Sequence, residues 1–267
     1  MFPASRLLTG FIYLEIFRNF KKKSENLLSY NIKNVYDKVS LYKLADKIYS
    51  VIIEDNHLRA MTFLRFQEYY ESSSEEFKGK KFKWDRYIQW YKSSDSPNGE
   101  KECFTYGDDW SGFNIPSESI ENCLLDIDDK NYYDNIMISI VNTIRNEEKE
   151  NFYLIGVDKL DLNSDLLDHE MAHGFYYTDI KYRNNANNLI KLIPINEKDD
   201  ISKVILELGY NESFLNDEIQ AYMSTGLYDK MNKSLKKYTP QFEKNFKEFK
   251  IKHKANSIKL EIIYEPY

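Results

Sequence analysis

Two histidines stand four residues apart in Asp168-His169-Glu170-Met171-Ala172-His173, with Glu170 directly after the first. A helix turns about 100° per residue, so side chains four apart lie nearly above one another. Two imidazoles so placed can grip one metal ion from the same side, each at ~2.0–2.1 Å. Glu170 lies one residue round the helix, near enough to face a metal-bound water without ligating the metal. Zinc acidifies such a water, and a carboxylate beside it can take the proton and later pass it to a leaving amine. The chain holds only four histidines, which makes this spacing a poor candidate for coincidence. The plainer alternative is a helix with two half-buried histidines making ordinary hydrogen bonds.

A zinc ion that keeps its fourth position for water needs a third protein ligand. His57 and His253 are far away in sequence and lack a supporting motif. Asn216-Asp217-Glu218-Ile219-Gln220-Ala221-Tyr222 lies in a strong helical pattern. Glu218 is the expected third ligand, and the small Ala221 lets that helix approach the first. Asp217 reads instead as a charge at a helix N-terminus. The oxyanion of a tetrahedral transition state needs a donor, and Tyr222, Tyr176 and Tyr177 are candidates because phenols donate while neutral. Of these Tyr222 is the expected catalytic residue beside Glu170. Asp168 or Asp179 could orient a ligand imidazole.

This combination resembles the gluzincin branch of zinc metallopeptidases, with H-E-x-x-H on one helix and a glutamate ligand on a later one. The resemblance covers mainly Phe152 to Tyr228. It implies one zinc ion per chain held by His169, His173 and Glu218, with Glu170 as general base. It also implies an edge strand that aligns an extended peptide, for which Phe152 to Val157 is the candidate. Tyr222 stands where a thermolysin-like pattern has aspartate, so the subfamily stays open. A metzincin-like pattern would put Asp179 in the ligand position, but Tyr176 replaces the glycine that lets the chain turn toward the metal.

Elsewhere the pattern is helix-rich. Apolar residues recur at helical spacing from Val35 to about Tyr70, and from Asp134 to Arg145. Ser117 is positioned to cap a helix through Leu125, and Asp161 or Ser164 the helix that carries the histidines. Further helices are expected near Ala186–Leu192, Ile201–Leu208, Phe214–Met231 and Gln241–Lys250. Strands are expected at Phe152–Val157 and Ile258–Tyr264, and Gly107 to Pro116 reads as an ordered loop. The aromatic block around Trp84, Tyr87, Trp90 and Tyr91, with the Trp110–Phe113 loop, fits a hydrophobic core better than a cleft lining. The expected fold is α+β and helix-rich: a zincin-like catalytic domain with a small sheet beside the active-site helix. A mostly helical region over 1–130 precedes a metal-binding region over 131–267.

The net charge of −6 argues against general nucleic-acid binding, which needs a concentrated positive surface. The lysine runs at Lys21–Lys23, Lys78–Lys83 and Lys230–Lys254 read as solvated faces. Cys103 and Cys123 are too few for a disulfide framework. No stretch reaches the ~20 apolar residues of a membrane span, and Leu7 to Phe17 reads as a buried helix. The expected protein is a cytoplasmic zinc hydrolase acting on peptides or proteins, with secretion or delivery into another cell left open. The alternative is a non-catalytic interaction or effector protein with a structural zinc site.

Overall fold

The structure, a computed structural model, describes residues 39–262 apart from 98, 111, 128, 209 and 227–232. The segment Leu7 to Phe17 and the last residues of the expected C-terminal strand lie outside the described residues. The expected helix over Val35 to Tyr70 begins only at Asn56. Before it, β1 (Val39–Ala45) and β2 (Ile48–Ile53) form an antiparallel hairpin in which Ala45 faces Ile48. Val39, Ile48, Tyr49, Val51, Ile52 and Ile53 are β-branched or aromatic and suit a strand better than a helix. Every position of β2 is buried, so the alternation that announces a half-buried strand is missing. The turn hides as well, because Lys47 takes the left-handed backbone (φ 60) usually left to Gly or Asn.

Helix α1 (Asn56–Glu71) follows, capped by Asp55, whose side chain accepts from Leu58 N at 2.9 Å. Then come α2 (Trp84–Tyr91), the one-turn α3 (Tyr106–Asp109), β3 (Phe113–Pro116) and α4 (Ser117–Asp126). The stretch expected as a loop over Gly107 to Pro116 thus contains a strand, at a sheet edge where proline is tolerated. Ser117 is the first helical residue and Pro116 the cap. Its hydroxyl accepts instead from Phe152 N at 3.0 Å, fastening α4 to the segment entering β4 (Tyr153–Val157).

Helix α5 (Tyr132–Glu147) lies between α4 and β4 and opens with a capping box of Asn131 and Asp134. After β4 come α6 (Asp165–Thr178), α7 (Ile180–Lys191), α8 (Ile195–Glu207), α9 (Leu215–Thr225), α10 (Thr239–Lys252) and β5 (Lys254–Leu260). Ser164 caps α6 as expected.

The five strands lie in the order β3-β4-β2-β1-β5, with β2 and β4 parallel and every other pair antiparallel. The fold is therefore α+β and helix-rich, with one small mixed sheet. Residues on both sides of position 130 supply strands to it, β1, β2 and β3 from before and β4 and β5 from after, so a boundary at 130 runs through the sheet. The strand over Phe152–Val157, expected at an edge, lies inside; the edge beside it is β3. One sheet face packs Ile48, Ile52, Tyr153, Ile155 and Val157 against Leu167, Met171, Ala172 and Phe175 of α6. On the other face Gly156 meets α1 so closely that a Cβ there would lie 2.6 Å from the Phe63 ring. The aromatic block is core: Tyr87, Trp90 and Tyr91 are buried around Phe77. Among the described residues no helix is long and apolar enough to cross a membrane.

Candidate metal centre

The histidine pair lies on α6 and its counterpart on α9, where Glu218, Tyr222 and Thr225 follow one another at helical spacing along a single stripe. Ala172 and Ala221 are fully buried, which lets the two helices approach. His169 Nε2 and His173 Nε2 lie 3.2 Å apart. Glu218 Oε2 is 3.9 Å from the first, and Glu218 Oε1 is 3.7 Å from the second. These three residues form a cluster that could hold a metal ion.

The other ring nitrogens fix the tautomers. Thr225 Oγ1 donates to Ala221 O at 2.8 Å, so toward His169 Nδ1, 3.3 Å away, it can only accept. His169 therefore carries its proton on Nδ1. His173 Nδ1 sits 2.9 Å from Asp217 Oδ1 and donates to that carboxylate. With both Nδ1 atoms protonated, the two Nε2 atoms face each other at 3.2 Å, a distance that calls for a proton or a metal ion between them. Glu218 Oε2 is buried and has no hydrogen-bond partner, an uncompensated cost unless a cation meets it. The donor set of two imidazoles and a carboxylate fits a divalent metal ion.

The electrostatics agree. Burial raises Glu218 to about 8 against the pull of His173, with Asp217 and Glu170 adding to the rise. Burial and then the Glu218 charge raise Glu71 to about 8, and burial raises Glu170. Burial, with His173 beside it, holds His169 well below the usual imidazole range. Burial also opposes charge on His173, but Asp217 and Glu218 outweigh it and raise that imidazole. The imidazole that favours its charged form is thus the one beside the Asp217 and Glu218 carboxylates.

Glu170 is buried beside this cluster, and Asn114 Nδ2 of β3 donates to its Oε2 at 2.6 Å. The three residues of the cluster and Glu170 line a cleft of about 500 Å³, shared with Glu71, Trp110, Tyr210 and Tyr222. The Tyr222 ring lies 4.6 Å from that of His169. Tyr210 is hydrogen-bonded to Tyr222, and burial holds its phenol far above its ordinary value, which keeps it a neutral donor.

His169, Glu170, His173, Glu218 and Tyr222 thus come together as the sequence suggests. Other expected roles move. Asp179 ends α6 and caps α7, accepting from Lys181 N and Tyr182 N, and it pairs with His253 at 3.3 Å. It is no ligand. Asp168 pairs with Lys250, so these two aspartates are engaged away from His169 and His173. Asp217 is the one that orients an imidazole, and it is held in turn by Gln220 Nε2 at 3.0 Å. Tyr176 donates to Asn187 and Tyr177 contacts Glu118, and neither lines the cleft. Asn114, Thr225, Tyr210 and Glu71 carry no local motif. Comparison with protein-family models, with curated proteins and with solved structures gives no match to this chain.

Proposed function

We propose that this protein is a zinc-dependent hydrolase that cleaves peptide bonds, with a zincin-like arrangement about α6. The observation that carries the reading is the convergence of two imidazole lone pairs and an unpartnered carboxylate oxygen next to Glu170, at the wall of an open cleft. His169, His173 and Glu218 would hold the ion. A zinc ion bound there would acidify a water and polarise the substrate carbonyl. Glu170 takes the proton from the attacking water and delivers it to the leaving amine, a task suited to a carboxyl whose proton affinity burial has raised. Tyr222, with Tyr210 behind it, offers a neutral donor to the developing oxyanion. Asp217 and Thr225 hold the two imidazoles in the tautomer that presents Nε2. Asn114 places the edge strand β3 at the cleft, where an extended peptide could lie.

The test is metal content of protein purified without a histidine tag or chelator, followed by a peptide-library digest. The wild type is expected to carry about one zinc per chain. His169→Ala and Glu218→Ala lose it. Glu170→Gln keeps zinc and loses turnover by at least ~100-fold, the low end for a general base. A folded wild type that takes up no zinc on reconstitution would reject the proposal. Full activity in Glu170→Gln would take the base role from Glu170.

A further inference from the structure

Glu170 has a flexible side chain, and a base must present one oxygen to the water while the other is held. Its neighbour in space comes from the opposite wall. Asn114 Nδ2 donates to Glu170 Oε2 at 2.6 Å, and Tyr153 OH donates to Asn114 Oδ1 at 2.6 Å. The carboxylate oxygen accepts and so takes the NH2 of the amide, and the tyrosine hydroxyl completes that orientation by donating to the amide oxygen. The Asn114 backbone is pinned as well: it pairs with Ile155 of β4, and its N–H donates to Gln67 Oε1 of α1 at 3.2 Å. Gln67 is itself anchored, since its Nε2 donates to Glu71. Oε1 of Glu170 turns toward Gly112, where a Cβ would sit 3.7 Å away.

Strand β4 lies behind this chain of contacts, and Tyr153 is its first residue and fully buried. Two adjacent strands and α1 thus converge to hold one amide against one carboxylate. An asparagine kept only for packing would not need three separate anchors.

We infer that Asn114 is a positioning residue for the Glu170 carboxylate, fastening Oε2 so that Oε1 alone is free for chemistry, and that Tyr153 locks the amide in place. This rests on the zinc-hydrolase reading of the site, and a probe that needs no turnover separates the two. Acetohydroxamate binds zinc through its oxygens and gives a proton to a neighbouring carboxylate, so its affinity reports where Glu170 points.

The experiment compares wild type, Asn114→Ala and Tyr153→Phe, each zinc-loaded and checked for metal content and circular dichroism. Acetohydroxamate affinity is measured by calorimetry, and peptide cleavage as kcat and KM. Asn114→Ala is expected to keep its zinc, to bind the hydroxamate about tenfold more weakly, and to lose ~10–100-fold in kcat with KM within about threefold. Tyr153→Phe, which removes only a hydroxyl, moves both quantities the same way by about two- to fivefold. Unchanged hydroxamate affinity in a folded, zinc-loaded Asn114→Ala protein would overturn the inference, as would loss of zinc from that variant. A zinc-loaded wild type that binds the hydroxamate but cleaves no peptide would reject the peptidase reading and leave the affinity comparison to decide the role of Asn114. A wild type that binds neither zinc nor hydroxamate would overturn both.

Discussion

At the residue scale, the site separates groups that could hold a metal ion from groups that aim them. His169 and His173 are legible in the sequence because one helix dictates their relation. Glu218 is legible because its helix repeats an apolar stripe. Asp217 is not. Next to Glu218 in a first helical turn it looks like a charge answering the helix dipole, and only the crossing of α6 and α9 brings it to His173. Asp179 is the reverse case, attractive by spacing but committed to capping α7. The two make a matched test. Asp217→Asn is expected to weaken zinc affinity by ~10–100-fold, the usual cost of losing a carboxylate behind a ligand imidazole. Asp179→Ala leaves zinc affinity unchanged and costs about 1 kcal/mol of stability, as a lost N-cap does. Competition against a colorimetric chelator reads the first effect, and urea denaturation the second. The opposite ranking would restore Asp179 as a ligand.

At the scale of the element, α1 shows what periodicity cannot reveal. It is buried along its whole length from Arg59 to Glu68, so it has no polar face to set its phase, and its charged residues find partners instead. Arg59 donates to Ile53 O at 2.8 Å, and Arg65 pairs with Asp129 at 3.1 Å and with Asp134. Glu68 accepts from Tyr106 OH at 3.0 Å. The hairpin before α1 is hidden for a related reason: a strand buried on both faces does not alternate. Helices α5 and α9 keep exposed or half-buried ends beside their buried middles, and their apolar repeats show in the sequence. Glu68 also gives a pH prediction. Burial raises its pKa despite hydrogen bonds from Ser72, Tyr87 and Tyr106. A carboxyl raised in the folded state contributes stability that is full below its unfolded value of ~4.3 and lost as pH climbs through the folded one. Glu68→Gln does not titrate there, so its stability relative to wild type is expected to rise as pH climbs from about 4.3 into the neutral range. Urea midpoints of both proteins across that range check it; a constant difference would mean that Glu68 is not held protonated by its surroundings.

For the whole molecule, the question is whether the metal builds the fold or only uses it. The sheet order could not be read from sequence, because β4 pairs with strands far away in the chain and β3 hides among turn residues. Yet that sheet and the helices on it have a core independent of any ion. Met171, Ala172 and Phe175 of α6 pack with Ala221 of α9 and Phe246 and Phe249 of α10, while Ile219 and Met223 of α9 pack on α8. Small zinc-dependent domains lack such a core and unfold when the metal is removed. Here the ion is expected to add stability by mass action alone, ~2.7 kcal/mol at one hundred times Kd. For a chain of this size that is a shift of roughly 5–10 °C in Tm. Chelation should therefore lower Tm by about that amount and leave the far-ultraviolet circular dichroism at 25 °C unchanged. Glu218→Ala should show the lower Tm with or without zinc, whereas Glu170→Gln should still respond to it. Loss of helical signal on chelation at 25 °C would instead assign the metal a structural task and favour a non-catalytic zinc protein, because a site that merely borrows a finished scaffold can be emptied without dissolving it.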